Sequence, residues 1–389
     1  MPLTKAAIVV LDGVGCGGAP DAAAFGDEGS DTLGNTARAV GGLALPNFAS
    51  LGLGNAATVR GVPPSARPRA SWGRMRETAA GKDTTSGHWE MAGVVLRQAM
   101  PTFPDGFPET VMARFAEVAG RPGLGNVVAS GTEIIQRLGE EHQRTGRMIV
   151  YTSADSVFQI AAHEETVPVE ELYRVCREMR RALAGPFAVG RVIARPFAGP
   201  PGAYARTLRR RDFSREPEGV TLLDAVRSSG REVVAVGKID DIFASRGVTR
   251  SVHVLPHPAC VDATVDALRS MSQGLVFTNL IEFDQSFGHR NDPHGMAGAL
   301  QELDARVPDL LAAAGRDTLL LFTADHGNDP TTPSTDHSRE EVPLLAWSGG
   351  EGRALGTRAT FADVAATIAE MFGLERPAAG TSFLAGLPS

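Results

Sequence analysis

The chain has 389 residues, 43% of them apolar and 21% charged, with a formal net charge of −7. This is the composition of an ordinary globular protein long enough for one large domain and a smaller companion, and its acidic balance argues against a nucleic-acid footprint. Cys16, Cys176 and Cys260 lie far apart with no CxxC, which excludes a disulfide framework or thiolate metal site; with no leader and no apolar run of about 18 residues, a cytoplasmic protein is expected.

The first apolar run, residues 6–12 (AAIVVLD), ends on Asp12 and is followed by Gly13 and Gly15. A Gly-rich loop and helices follow. In residues 81–90 (GKDTTSGHWE) glycines bracket three hydroxyls, and a helix is predicted from near His88. Free N–H groups at a helix start favour an anion. Taken alone, the same residues also read as an ordinary cap. Residues 100–108 (MPTFPDGFP) break the pattern with three prolines. A new unit then runs through a helix near 110–119, a strand at 148–151, a helix at 169–183 and a strand at 189–194, and closes in the charged stretch 206–218. From residue 220 the α/β alternation resumes, with a strand in 230–241. Residues 274–284 (GLVFTNLIEFD) form another apolar run ending on Asp284, with His289 five residues on. Residues 318–337 (TLLLFTADHGNDPTTPSTDH) run into Asp325-His326 and on to His337.

Apolar runs without period-two alternation indicate strands buried on both faces, as in a mainly parallel sheet flanked by helices. Ligands of such sheets bind beyond the carboxyl ends of the strands. Asp12, Asp284, His289, Asp325, His326 and His337 are therefore expected on one rim, enough for two metals with positions left for substrate. Mixed carboxylate and imidazole donors suit Zn²⁺ or Mn²⁺. No such candidate falls within residues 100–215, so these are expected to form a smaller α+β cap, or lid, inserted into a catalytic core of 1–99 and 216–389.

These segments, together with SDTLGN (30–35), SGTEI (130–134), YTSADSVFQIAAHEE (151–165), GRVIARPF (190–197) and FGHRNDP (287–293), closely resemble the phosphopentomutases of the alkaline phosphatase superfamily. TADHGND alone would indicate only the superfamily. The resemblance implies that Thr84 is the phosphorylated residue, that Asp284, His289 and His337 hold one metal, and that Asp12, Asp325 and His326 hold the other. It implies two Mn²⁺ per chain, with Zn²⁺ or another divalent ion as substitutes. It places Ser153, Asp155, Arg195, Arg206 and Lys238 on the sugar phosphate. The activity implied is interconversion of ribose or 2-deoxyribose 1-phosphate with the 5-phosphate through a 1,5-bisphosphate. Ribose 1,5-bisphosphate or glucose 1,6-bisphosphate would serve as activator. Small sugar phosphates are the expected partners, with no nucleic acid or membrane, and the chain is expected to be a monomer or weak oligomer. A plain metal-dependent phosphatase or phosphodiesterase, a cofactor-independent phosphoglycerate mutase and a non-catalytic phosphosugar binder are the rival readings.

Overall fold

The structure, a computed structural model, describes residues 3–153 and 155–388. The chain divides into two compact units, Met1–Gln98 with Pro217–Ser389, and Ala99–Glu216.

In the first unit, β1 (Lys5–Leu11) is buried at every position, as its unalternating apolar sequence requires. With β2 (Ser71–Met75), β9 (Glu232–Val236), β10 (Arg250–Val252), β11 (Gly274–Leu280), β12 (Thr318–Thr323), β13 (Val342–Trp347) and β14 (Ala354–Arg358) it builds an eight-stranded sheet in the order β10-β9-β11-β1-β12-β13-β2-β14. Strands β10 to β12 are mutually parallel, whereas β13 runs antiparallel to both β12 and β2. The register pairs Leu11 with Leu280 and Val10 with Thr323, so β11, β1 and β12 end at one level. Asp12, Asp284 and Asp325 all follow those ends.

In the second unit, β3 (Leu124–Val128), β4 (Ile149–Thr152), β5 (Val157–His163), β6 (Arg191–Ala198) and β7 (Ala205–Arg206) lie in sequence order, and β8 (Arg211–Ser214) pairs with β6. Helices Glu109–Ala119 and Val169–Ala182 pack around Phe115, Phe158, Val175 and Met179 on one face. Helix Gly131–Thr145 covers Ile149, Tyr151 and Phe197 on the other. Each unit thus has its own core.

Candidate active site

The expected helix start near His88 is corrected by the structure: the helix spans Thr84–Met91. Asp83 is the reason. Its side chain accepts from the N–H groups of Thr85 and Ser86, while the Ser86 hydroxyl accepts from the Asp83 N–H, a reciprocal cap that begins the helix four residues earlier. Thr84 is therefore the first helical residue, at the positive end of the helix dipole. Almost everything beyond Thr85 in this helix is buried, and the Glu90 carboxylate anchors its far end by accepting from Thr78, Ala79, Thr360 and Phe361. The loop before the helix is pinned from below by Arg339, whose guanidinium donates to the carbonyls of Glu77 (2.7 Å), Ala79 (2.9 Å) and Gly81 (2.8 Å) and pairs with Asp21 and Glu77. Arg339 lies outside every quoted motif, and Glu90, although it closes GKDTTSGHWE, has no role legible from the sequence.

The Thr84 hydroxyl lies 3.4 Å from Asp12 Oδ1 and 3.1 Å from His326 Nε2. His326 Nε2 is 3.3 Å from both Asp12 Oδ1 and Asp325 Oδ2. Across from it, Asp284 Oδ2 is 3.1 Å from His289 Nε2, and Asp284 Oδ1 is 3.5 Å from His337 Nε2. The His289 Nδ1–H is taken by the Thr335 carbonyl at 2.6 Å, which turns Nε2 towards Asp284. Among the described residues, ligand-type atoms fall into two groups in which all lie within 4.8 Å of one another: Asp12, Asp325 and His326, and Asp284, His326 and His337. All six residues named from the sequence thus come together. His326 stands where the two groups meet, and His289 adjoins Asp284 without being part of either group.

The electrostatics fit cations. Burial, followed by the neighbouring Asp325, raises the Asp12 carboxyl above its usual range. Burial would do the same to Asp325, but His326 and His88 beside it hold it below the usual range. Burial opposes a charge on His326, yet Asp325 and Asp12 lift it well above an ordinary imidazole. His289 is likewise disfavoured by burial and raised by Asp284, to about 9. Three buried carboxylates thus draw positive charge to their centre, and Asp325 Oδ2 makes no aligned hydrogen bond. Oxygen and imidazole donors of this kind fit Mn²⁺ or Zn²⁺.

Residues 4–376 match the model of the Metalloenzyme superfamily. The chain is 58% identical over 380 residues to the phosphopentomutase of Anaeromyxobacter dehalogenans, covering 97% of each. It is 55% identical over 388 residues to that of Acetivibrio thermocellus, covering 99% of this chain and 100% of the relative. The chain belongs to the phosphopentomutase family. The phosphopentomutase of Caldanaerobacter subterraneus subsp. tengcongensis is similar to it over the same span, at 53% identity with 99% and 98% covered. The α/β sheet and its helices are those of the alkaline-phosphatase-like fold.

The substrate candidates of this phosphopentomutase chain are spread over both units. Lys238 follows β9 and is half-buried at the carboxyl end of the first sheet. In the second unit, half-buried Ser153 and exposed Asp155 follow β4. Arg195 on β6 donates through Nε to Gln159 Oε1 at 3.1 Å, and burial together with nearby arginines lowers its guanidinium to about 10. It is Arg191, four residues earlier on β6, whose guanidinium is 3.9 Å from Asp155. Arg206 is exposed, and its Nη2 sits 2.5 Å from where a Cβ on Gly131 would lie.

Proposed function

We propose that the chain is a phosphopentomutase that works through phospho-Thr84, moving a phosphoryl group between O1 and O5 of ribose or 2-deoxyribose. The observation that carries this is the seat of the Thr84 hydroxyl, at a helix N-terminus and within 3.4 Å of both Asp12 and His326. Asp12, Asp325 and His326 would hold one divalent cation and Asp284, His289 and His337 the other, with Mn²⁺ preferred. When bound, the cations supply charge neutralisation for the phosphoryl oxygens.

The chain's own residues position the groups that react. Asp83 and Arg339 hold the loop so that Thr84 keeps one orientation, at the positive end of the helix dipole, where negative charge on a phosphoryl group is favoured. Attack by the substrate's 5-hydroxyl on phospho-Thr84 forms the O5–P bond as the Thr84 Oγ1–P bond breaks, giving the pentose 1,5-bisphosphate. The reverse exchange at the 1-position returns a phosphate to Thr84 and leaves the 5-phosphate. A bisphosphate such as ribose 1,5-bisphosphate or glucose 1,6-bisphosphate primes an unphosphorylated chain. Residues 100–215 act as an inserted recognition unit, with Ser153, Asp155, Arg195 and Arg206, alongside Lys238 of the core, assigned to the sugar phosphate.

Replacing Thr84 with Ala tests the nucleophile. Interconversion of ribose 1- and 5-phosphate should fall below detection while the Mn²⁺ content per chain stays at the wild-type level. Turnover that survives in the Ala variant would remove Thr84 from this role.

A further inference from the structure

Each of the two ligand groups contains one carboxylate that is gripped by a buried asparagine. Asn279 Nδ2 donates to Asp12 Oδ2, and Asn328 Nδ2 donates to Asp284 Oδ1 at 2.7 Å. Both asparagines are fully buried, and both amide oxygens, Asn279 Oδ1 and Asn328 Oδ1, have no hydrogen-bond partner among the described residues. Turning either amide over would set its oxygen against a carboxylate oxygen, so the donating orientation is fixed by charge. A buried acceptor left unmatched lowers stability, and an apolar residue of similar volume would avoid that loss. Packing therefore gives no reason for an amide at either place. The carboxylates do.

The surroundings hold both amides still. A Cβ on Gly288 would fall 2.5 Å from Asn328 Cγ, and one on Gly13 would fall 3.0 Å from Asn328 Cβ. The Asn328 N–H is fixed in turn by the Thr32 hydroxyl at 3.1 Å. Asn279 lies on β11, in register with Val10 of β1.

Each amide also approaches a histidine, Asn328 Nδ2 lying 3.3 Å from His289 Nδ1, but the histidine beside Asn279 leads on to Thr84. Asn279 Nδ2 is also 3.3 Å from His88 Nε2, and His88 Nδ1 is 2.8 Å from the Thr84 carbonyl and 3.1 Å from Asp325 Oδ2. His88 is itself fully buried and stacked on Phe277. Asn279 thus touches a ligand carboxylate on one side and, through His88, the backbone of the nucleophile on the other. Asn328 has no such link.

We propose that Asn279 and Asn328 are positioning residues, one for each cation subsite, and that Asn279 with His88 additionally ties the Thr84 backbone to the Asp12 side of the site. The inference rests on the reading that the two groups bind divalent cations. Groups that orient ligand side chains are typically worth about 10- to 100-fold in metal affinity.

The test is calorimetric titration of Mn²⁺ into wild type, Asn279→Ala, Asn328→Ala and the double variant, with steady-state kinetics at saturating Mn²⁺. Each single variant should weaken one of two bound ions by about 10- to 100-fold, and the double variant should weaken both. At saturating Mn²⁺, Asn328→Ala should regain kcat, while Asn279→Ala should keep a reduced kcat with KM for ribose 5-phosphate within about twofold, because its link to Thr84 is not restored by metal. If an Ala variant fails to fold, the Ser variant at the same position reads the same affinities. Folded variants that bind two Mn²⁺ with wild-type affinity would overturn the proposal. A wild-type chain that binds fewer than two ions would instead overturn the two-cation reading beneath it.

Discussion

At Gly87 the helix that begins with Thr84 passes so close to the end of β12 that a methyl group would fall 2.1 Å from the Asp325 carbonyl oxygen. Neither backbone can yield without moving Thr84 away from His326. Gly87→Ala should cost about 1–3 kcal/mol of stability, as overpacking does, and a displacement near 1 Å of Thr84, the proposed nucleophile, should cost turnover about 100-fold. Thermal melts and steady-state rates measure the two effects; an Ala variant with wild-type values for both would show that the close approach is dispensable. The same scale shows what was legible in the sequence. Asp12, Asp284 and Asp325 were legible because each ends an apolar run, and the end of a buried strand is where a carboxylate needs a partner. Asn279 was not, because an amide inside such a run looks like any other strand residue until its Nδ2 is seen against Asp12. Arg191 was not legible as the neighbour of Asp155. Four residues along a strand is about 13 Å, and only the pairing of Val157 with Arg191 shows which arginine is level with that loop.

Among the elements, helix Gly131–Thr145 and strand β5 are joined by a histidine that must be neutral. His142 Nδ1 donates to the Arg147 carbonyl at 2.7 Å, and Nε2 accepts the His163 N–H at 2.8 Å. A second ring proton would face that N–H, and burial already lowers the group below its ordinary value of 6.5. The unfolded chain therefore binds this proton more readily than the folded one, so His142 stabilises the fold fully above pH 6.5 and the contribution is lost as pH falls from 6.5 through the depressed folded value. Urea midpoints of the wild type should drop over that window, and His142→Gln should flatten the drop. An equal slope in both chains would contradict the neutral assignment. The helix over 131–145 and strand β5 had a signal in the sequence, Ile134, Ile135 and Leu138 at helical spacing and the largely apolar run VFQIAA, but neither is among the expected elements. The helix at 84–91 was legible but misplaced by four residues, since Asp83 was read as part of a loop and not as the cap it forms.

On the scale of the whole molecule, the eight-stranded sheet brings three carboxylate-bearing strand ends together, and residues 99–216 interrupt that sheet in sequence while forming a core of their own. The strand ends provide a place for charge. They would serve a phosphatase as well as a mutase, because both need a phosphoryl group held beside that charge. What separates the two is the fate of the phosphate. The most direct measurement follows ³¹P signals as wild-type enzyme with Mn²⁺ and a catalytic amount of glucose 1,6-bisphosphate is given ribose 5-phosphate. The account predicts that ribose 1-phosphate grows to equilibrium with inorganic phosphate only in trace. Inorganic phosphate as the main product would contradict it.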